Sequence, residues 1–380
     1  MRARDHGHHR DPILPAVESS GKVCGEAFAR VALIILVLIT FNLPAHAGAN
    51  FDLTSAPGGI TLTQVGNNYI SSFGTLNALG IGTPASGVTI IPLSNGALYL
   101  TTYNLFVHGG LPAGHTGTVT AYASTNFGHP LALILESCPS TSSCNASGQY
   151  SALSVNVGAQ TSVIAAPGIP KSATVTAGLA IFVPDNNGAS AFSGTDSATI
   201  SFSMFDNADG SLIETLMLSL NNPTETLQSA VRLTLATATG GLTITPAADY
   251  SMNFGNVNGL GFGPGAGLTT SAATGGVVYS TPYLLQPAFS DRTSTTATIK
   301  TFVSTNFAHP VVLQLRDAAA SAGPFNNIGT TAGTATQITT TAANRSTITR
   351  FLGLFVSNVN GATAFTGSDS ATLTFVLTVP

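Results

Sequence analysis

Apolar and polar positions alternate with a period of two through most of this chain. Ala198, Ile200, Phe202 and Met204 are interleaved with Thr199, Ser201 and Ser203, and Ala371, Leu373, Phe375, Leu377 and Val379 alternate with Thr372, Thr374 and Thr378. Val311, Leu313 and Leu315 face one way, Gln314 and Arg316 the other. A strand turns successive side chains to opposite faces, so this pattern predicts strands with one face on a core and the other in water. Thr on the wet face suits the pleated surface without needing charge. No stretch beyond residue 47 carries apolar positions at helical spacing. Turn signals interrupt the pattern at Pro57-Gly58-Gly59, Ser94-Asn95-Gly96, Asn187-Gly188, Asp209-Gly210 and Asn360-Gly361. Many short strands with frequent turns predict an all-β chain of antiparallel sandwiches, immunoglobulin-like or jelly-roll-like.

The pattern occurs twice. Residues 188–202 read GASAFSGTDSATISF and 361–375 read GATAFTGSDSATLTF, with ten of fifteen positions identical and the rest exchanging Ser with Thr or Ile with Leu. STNFGHP at 124–130 returns as STNFAHP at 304–310. Gly58–Thr63 matches Gly240–Thr245, Phe73–Gly80 matches Phe254–Gly261, and Tyr99 and Tyr103 match Tyr279 and Tyr283. Two tandem sandwich domains from an internal duplication are therefore expected, over residues 48–205 and 231–380. The offset between copies is about 180 residues at STNF and seven fewer at GASAF. The second copy is thus shorter in the interval that holds Cys138 and Cys144 in the first. Residues 206–230 lie between the copies. They read as a hairpin turn at Asp206–Gly210 and an extra apolar strand, Leu212–Leu220, with no counterpart after the second copy. A strand without a place in the repeat is expected either to complete the sheet of the neighbouring domain or, as a free edge, to pair with another molecule.

The first 47 residues stand apart. Val31–Leu43 is apolar except for Thr40 and Asn42, follows Arg30 and ends in Pro44-Ala45-His46-Ala47. The run is too short to span a bilayer comfortably, and the A-x-A ending marks a secretory signal peptide over residues 1–47, cleaved after Ala47. The stretch before it is long for such a leader and includes His6, His8 and His9, which leave with it; Val23 is an alternative start. No second apolar run approaches spanning length, and neither a membrane span nor a sorting tail is expected in the mature chain.

Composition adds to this picture. Seven basic and twelve acidic residues follow Ala47, a balance of −5, and only 7% of the whole chain is charged. No basic patch exists, so neither nucleic acid nor an anionic membrane surface is an expected partner. Cys138 and Cys144 remain after the leader is removed, and in an oxidising compartment they are expected to form a disulfide. Pro139–Ser143 supplies no further metal ligand. The chain is expected outside the cytoplasm: secreted, on the cell surface or in the periplasm.

Candidate chemistry centres on positions shared by both copies. His129 and His309 sit in Asn-Phe-x-His-Pro, between alternating strands. There Asn126 and Asn306 fit a local turn, with Pro130 and Pro310 opening the next strand. A Ser/His/Asp triad can be drawn with Asp196 or Asp369, yet no G-x-S-x-G elbow exposes a nucleophile. Asp196 and Asp369 precede the last strand of each copy, where a carboxylate can lock a turn by accepting backbone N–H groups. A calcium site is the other reading of Asp185, Asp196 and Asp369. It is weakened because Asp185-Asn186-Asn187 becomes Asn358-Val359-Asn360 in the second copy. Asp206–Gly210 lacks the spacing and closing Glu of an EF-hand loop. No cofactor is expected. There is no Trp to stack on sugars, and Tyr99, Tyr103, Tyr279 and Tyr283 sit within strand patterns, where core packing or pairing on the sheet surface is expected.

The leader, the sparse charge, the missing Trp and the Gly/Thr-rich strands resemble those of secreted bacterial surface and pilus-type proteins. The resemblance covers the mature chain in composition and architecture and carries no site residue across. It implies a non-enzymatic structural or adhesive protein, self-associating through sheet edges or binding other surface proteins. A pair of glycan- or protein-binding modules is the second reading and a secreted hydrolase the third.

Overall fold

The alternating segments fold as strands, and the turn signals fall between them. The computed structural model describes residues 50–66, 68–109 and 111–380; the expected leader lies outside the described residues. In chain order the first half holds β1 (Asn50–Ser55), β2 (Thr63–Val65), β3 (Asn68–Ser71), β4 (Thr75–Leu76), β5 (Thr89–Leu93), β6 (Gly96–Gly109), β7 (Thr116–Thr125), β8 (Ile134–Cys138), β9 (Ser151–Ala152), β10 (Thr161–Pro170), β11 (Thr174–Pro184), β12 (Gly194–Asp206) and β13 (Leu212–Leu227). The second half holds β14 (Ala230–Thr237), β15 (Thr269–Ala273), β16 (Gly276–Ser290), β17 (Thr296–Thr305), β18 (Leu313–Ala318), β19 (Asn326–Asn327), β20 (Thr336–Ala343), β21 (Ile348–Ser357) and β22 (Thr372–Thr378). The described residues contain no α-helix, hence none long and apolar enough to cross a membrane.

Each half is a pair of sheets. In the first, the order β1-β6-β11-β8-β9, with β5 also on β6, faces β10-β7-β12-β13-β3-β2, with β4 also on β13. All pairings are antiparallel except those of β13 with β3 and β4. Tyr103, Leu105 and Ile181 from one sheet meet Val119, Phe202 and Met204 from the other in one buried cluster. Tyr103 stands edge-on to Phe202 at 5.7 Å between ring centres. The second half repeats the first sheet strand for strand, β14-β16-β21-β18-β19 with β15 on β16. Its facing sheet is shorter, β20-β17-β22, and Tyr283 meets Phe375 at 6.0 Å.

The structure corrects the expectation for Leu212–Leu220. The segment offers no free edge, because β13 is enclosed by its own repeat. It pairs with β12 on one side, Leu218 opposite Ile200 and Leu216 opposite Phe202, and with β3 and β4 on the other. Leu216, Leu218 and Leu220 are buried. Burying each such side chain is worth about 1.5–3 kcal/mol, which holds the strand inside the sandwich rather than at its rim.

Cys138 and Cys144 form a disulfide. It packs against Leu98, Leu100, Tyr150 and Ala180 on the outer face of the first sheet. Gly178 makes room for it: a Cβ there would lie 2.7 Å from the Tyr150 hydroxyl, 2.8 Å from Cys144 Cβ and 2.9 Å from Cys138 Cβ. By register, Cys138 and Gly178 correspond to Ala318 and Phe351. The second repeat thus puts an aromatic ring where the first puts a disulfide.

Gly48–Pro380 forms one compact unit, and the repeats are joined by side chains as well as by the linking chain. Arg345 pairs with Asp185 through Nε, which donates to Oδ2, and Nη2, which donates to Oδ1 at 3.1 Å; Nη2 also donates to the Ala78 carbonyl at 3.0 Å. Gly188 N donates to Arg292 O at 2.8 Å and Arg292 N to Asn187 Oδ1 at 3.2 Å. Leu79 packs on Ala230 and Ala288 beside them. The Asn186 carbonyl accepts from Asp291 N at 2.5 Å. Asp185 and Asn186, which become Asn358 and Val359 in the second copy, thus grip the other repeat together with Asn187, which matches Asn360.

Candidate functional site

The turn STNFGHP leaves β7 and the segment GASAFSGTDS enters β12, bringing residues about 65 apart in sequence together. Asn126 Oδ1 accepts from Phe127 N at 2.9 Å, and the His129 carbonyl accepts from Ala132 and Leu133, closing the turn. Asp196 reaches into it. Its Oδ1 accepts from Gly128 N (2.9 Å) and Ser197 N (2.8 Å), and its Oδ2 from His129 N (2.8 Å) and contacts ring Nδ1 (2.9 Å). The His129 ring lies flat on Phe192, 3.5 Å between centres and 12° between planes.

The second repeat reproduces every part. Asn306 Oδ1 accepts from Phe307 N at 2.9 Å. Asp369 accepts from Ala308 N (3.0 Å), Ser370 N (2.8 Å) and His309 N (2.9 Å) and contacts His309 Nδ1 at 3.0 Å. His309 stacks on Phe365 at 3.8 Å and 17°. The carboxylates are sheltered, with 9% and 6% of their side chains exposed, while the imidazoles are 50% and 45% exposed. With Nδ1 facing Asp, each ring turns Nε2 outward as a hydrogen-bonding or ligating atom.

Burial raises the pKa of both carboxylates, but the converging N–H donors outweigh it. Asp196 ends below the ordinary value and Asp369 at about 2, their donors being the preceding backbone N–H, the His ring, the following Ser N–H and the His N–H. One further acid sits beside the first cluster. Glu225 on β13 lies opposite Asp196 and accepts from Phe73 N at 2.8 Å. Burial, reinforced by the Asp196 charge, pushes it up to about 8.

The three carboxylates weighed for calcium are held apart by separate partners: Asp185 by Arg345, Asp196 by His129 and Asp369 by His309. Among the described residues, no three His, Cys, Asp or Glu side chains converge as a metal site would need. No hydrogen bond joins either histidine ring to a serine hydroxyl among the described residues. His108 with Asp52, and His115 with Asp206 at 2.7 Å, complete the pattern: each of the four described histidines touches an aspartate. The Asn-Phe-x-His-Pro motif places the histidines in turns but does not show their stacking on Phe192 and Phe365. The signal lay in the shared GA[Ser/Thr]AF, which keeps a Phe four residues before each Asp.

No family model matches the chain, and no curated protein matches it. Among solved structures, the CupB6 tip adhesin from Pseudomonas aeruginosa aligns over 86% of this chain and 94% of its own, at 9% identity and a TM-score of 0.27. The N-terminal domain of PorA aligns over 47% of this chain and 98% of that domain, at 11% identity and a TM-score of 0.21. The C-terminal domain of the Streptococcus pyogenes antigen I/II-family protein AspA aligns over 78% of this chain and 92% of its own, at 12% identity and a TM-score of 0.17. Likenesses this loose transfer neither a residue nor a role to this chain.

Proposed function

We propose that this chain is an exported, non-enzymatic surface or extracellular protein with a structural or adhesive role, displaying one histidine-centred surface twice. The observation that carries this reading is the repeated cluster itself. The same half-exposed imidazole, fixed by the same Asp and backed by the same Phe, recurs on an all-β frame with sparse charge. Two copies of one surface suit multivalent contact better than catalysis, which needs a single asymmetric pocket. The leader over residues 1–47 and the Cys138–Cys144 disulfide agree with an oxidising compartment. Immunogold electron microscopy of producing cells, with antibody to the mature chain, tests it. Label over the cell surface or along filaments is the expected result; label confined to the cytoplasm refutes export, and soluble monomer in the medium refutes a structural role.

A second reading, a pair of glycan- or protein-binding modules, is favoured by the outward Nε2 atoms on rigid stacked rings. It expects ligand-dependent stabilisation that the joint change His129→Ala, His309→Ala removes.

A further inference from the structure

In the first repeat β13 has three partners: β12, antiparallel, and β3 and β4, both parallel. Each partner has a match in the second repeat, and each match lacks such a strand among the described residues. β22, which matches β12, pairs with β17 alone. The β2–β3 hairpin is reduced to a single bridge, Thr245 with Ser251, the match of Thr63 with Ile70. Asn256-Val257, matching β4, forms no strand.

Burial follows the same difference. Ile200, Phe202 and Met204 are at most 1% exposed, whereas their matches Leu373, Phe375 and Leu377 are only partly buried. Tyr69 is 3% exposed and its match Tyr250 is 42% exposed. A cavity of about 570 Å³ lies against Leu242, Ser251 and Met252, where the first repeat has one of about 170 Å³ against Ile60 and Ile70.

We propose that the second repeat is a strand acceptor: an extended segment of another polypeptide, with large aliphatic side chains at alternate positions, lies antiparallel to β22 in the place that β13 fills in the first repeat. The chemistry of the occupant is read from the register. Leu216 and Leu218 oppose Phe202 and Ile200, whose matches are Phe375 and Leu373, so leucine-sized side chains complete the row. β22 carries no charge, which suits a neutral strand. Backbone pairing to the open edge supplies affinity, and alternate side chains in the core supply specificity. Pairing β22 with β22 of a second copy serves the edge alone and leaves residues 249–257 uncovered, so a single inserted strand fits better. The inference goes beyond the surface role proposed above and does not depend on it.

The experiment mixes the chain from Gly48 with a synthetic peptide of residues 211–221, the natural strand itself, and follows amide hydrogen exchange. The expected result is one-to-one binding, with exchange over residues 372–378 slowed about tenfold or more. A peptide carrying Leu216→Asp and Leu218→Asp is expected to bind at least about tenfold more weakly, a difference of about 1.4 kcal/mol. Changing the peptide leaves the folding of the protein untouched. Three outcomes overturn the proposal: no slowing at about millimolar peptide, equal slowing by both peptides, or a peptide-free chain that sediments as a dimer with those amides already protected.

Discussion

Carboxylates in this protein are tuned in opposite directions by what surrounds them. Asp369 is held at about 2 against an ordinary 3.8, so its contribution to stability is present above 3.8 and is lost as pH falls toward 2. Glu225 is raised from 4.5 to about 8. Across that window the folded chain keeps a proton that the unfolded chain releases, and stability falls as pH rises. Melting temperature measured against pH should therefore decline between 4.5 and 8, and Glu225→Gln should flatten that decline. Asp369→Asn should instead flatten the loss on the acid side. A Glu225→Gln profile that parallels the parent assigns the decline to other groups. Neither effect was legible in the sequence. Asp369 could be read as locking a turn from its place before a strand, but its partner His309 lies 60 residues away. The burial of Glu225 depends on a strand that the repeat pattern left unplaced.

Strands were legible wherever one face is dry and the other wet, as along β12 and β22, because burial on one side imposes the period of two. Neighbour relations were less so. β13 reads as surplus because the repeat has no second copy of it, and only tertiary pairing shows that it closes a sheet. The Asp317–Arg350 pair, joined by the Tyr283 hydroxyl at 3.2 Å from Asp317, also escaped notice. Its first-repeat matches are Ser137 and Ala177, so no repeated motif announced it. The exchange of Gly178 for Phe351 shows how one sheet position takes two solutions. Gly178→Ala places a methyl against the disulfide and should cost about 1–3 kcal/mol as overpacking. Reduction should return part of that loss, since the thiols can then move apart. A melting temperature unchanged by the substitution contradicts this account of the glycine.

At the scale of the whole molecule, the junction decides whether the repeats behave as one body. Asp185, Asn186 and Asn187 reach from the first repeat, and Arg345, the Asp291 N–H and the Arg292 N–H answer from the second. Removing the carboxylate leaves Arg345 without its ion partner at a half-buried position, at a cost of about 1–3 kcal/mol. Asp185→Ala should split a single calorimetric transition into two, with the second repeat, whose core is more open, melting first. One unsplit transition at the parental temperature shows that the linking chain and the apolar contact of Leu79 suffice.

The clamp also gives the molecule a measure of length. Two identical imidazole surfaces on a jointed chain would sample many separations, whereas on a locked frame they stand at one. Under the binding-module reading, such a frame would work as a ruler. A periodic ligand whose spacing matches would be gripped at both marks, the second contact formed at the high local concentration set by the first, while the same chemical groups at another spacing would be held at one mark only. Selectivity would then reside in the ion pair between Asp185 and Arg345, in neither of the surfaces that touch the ligand.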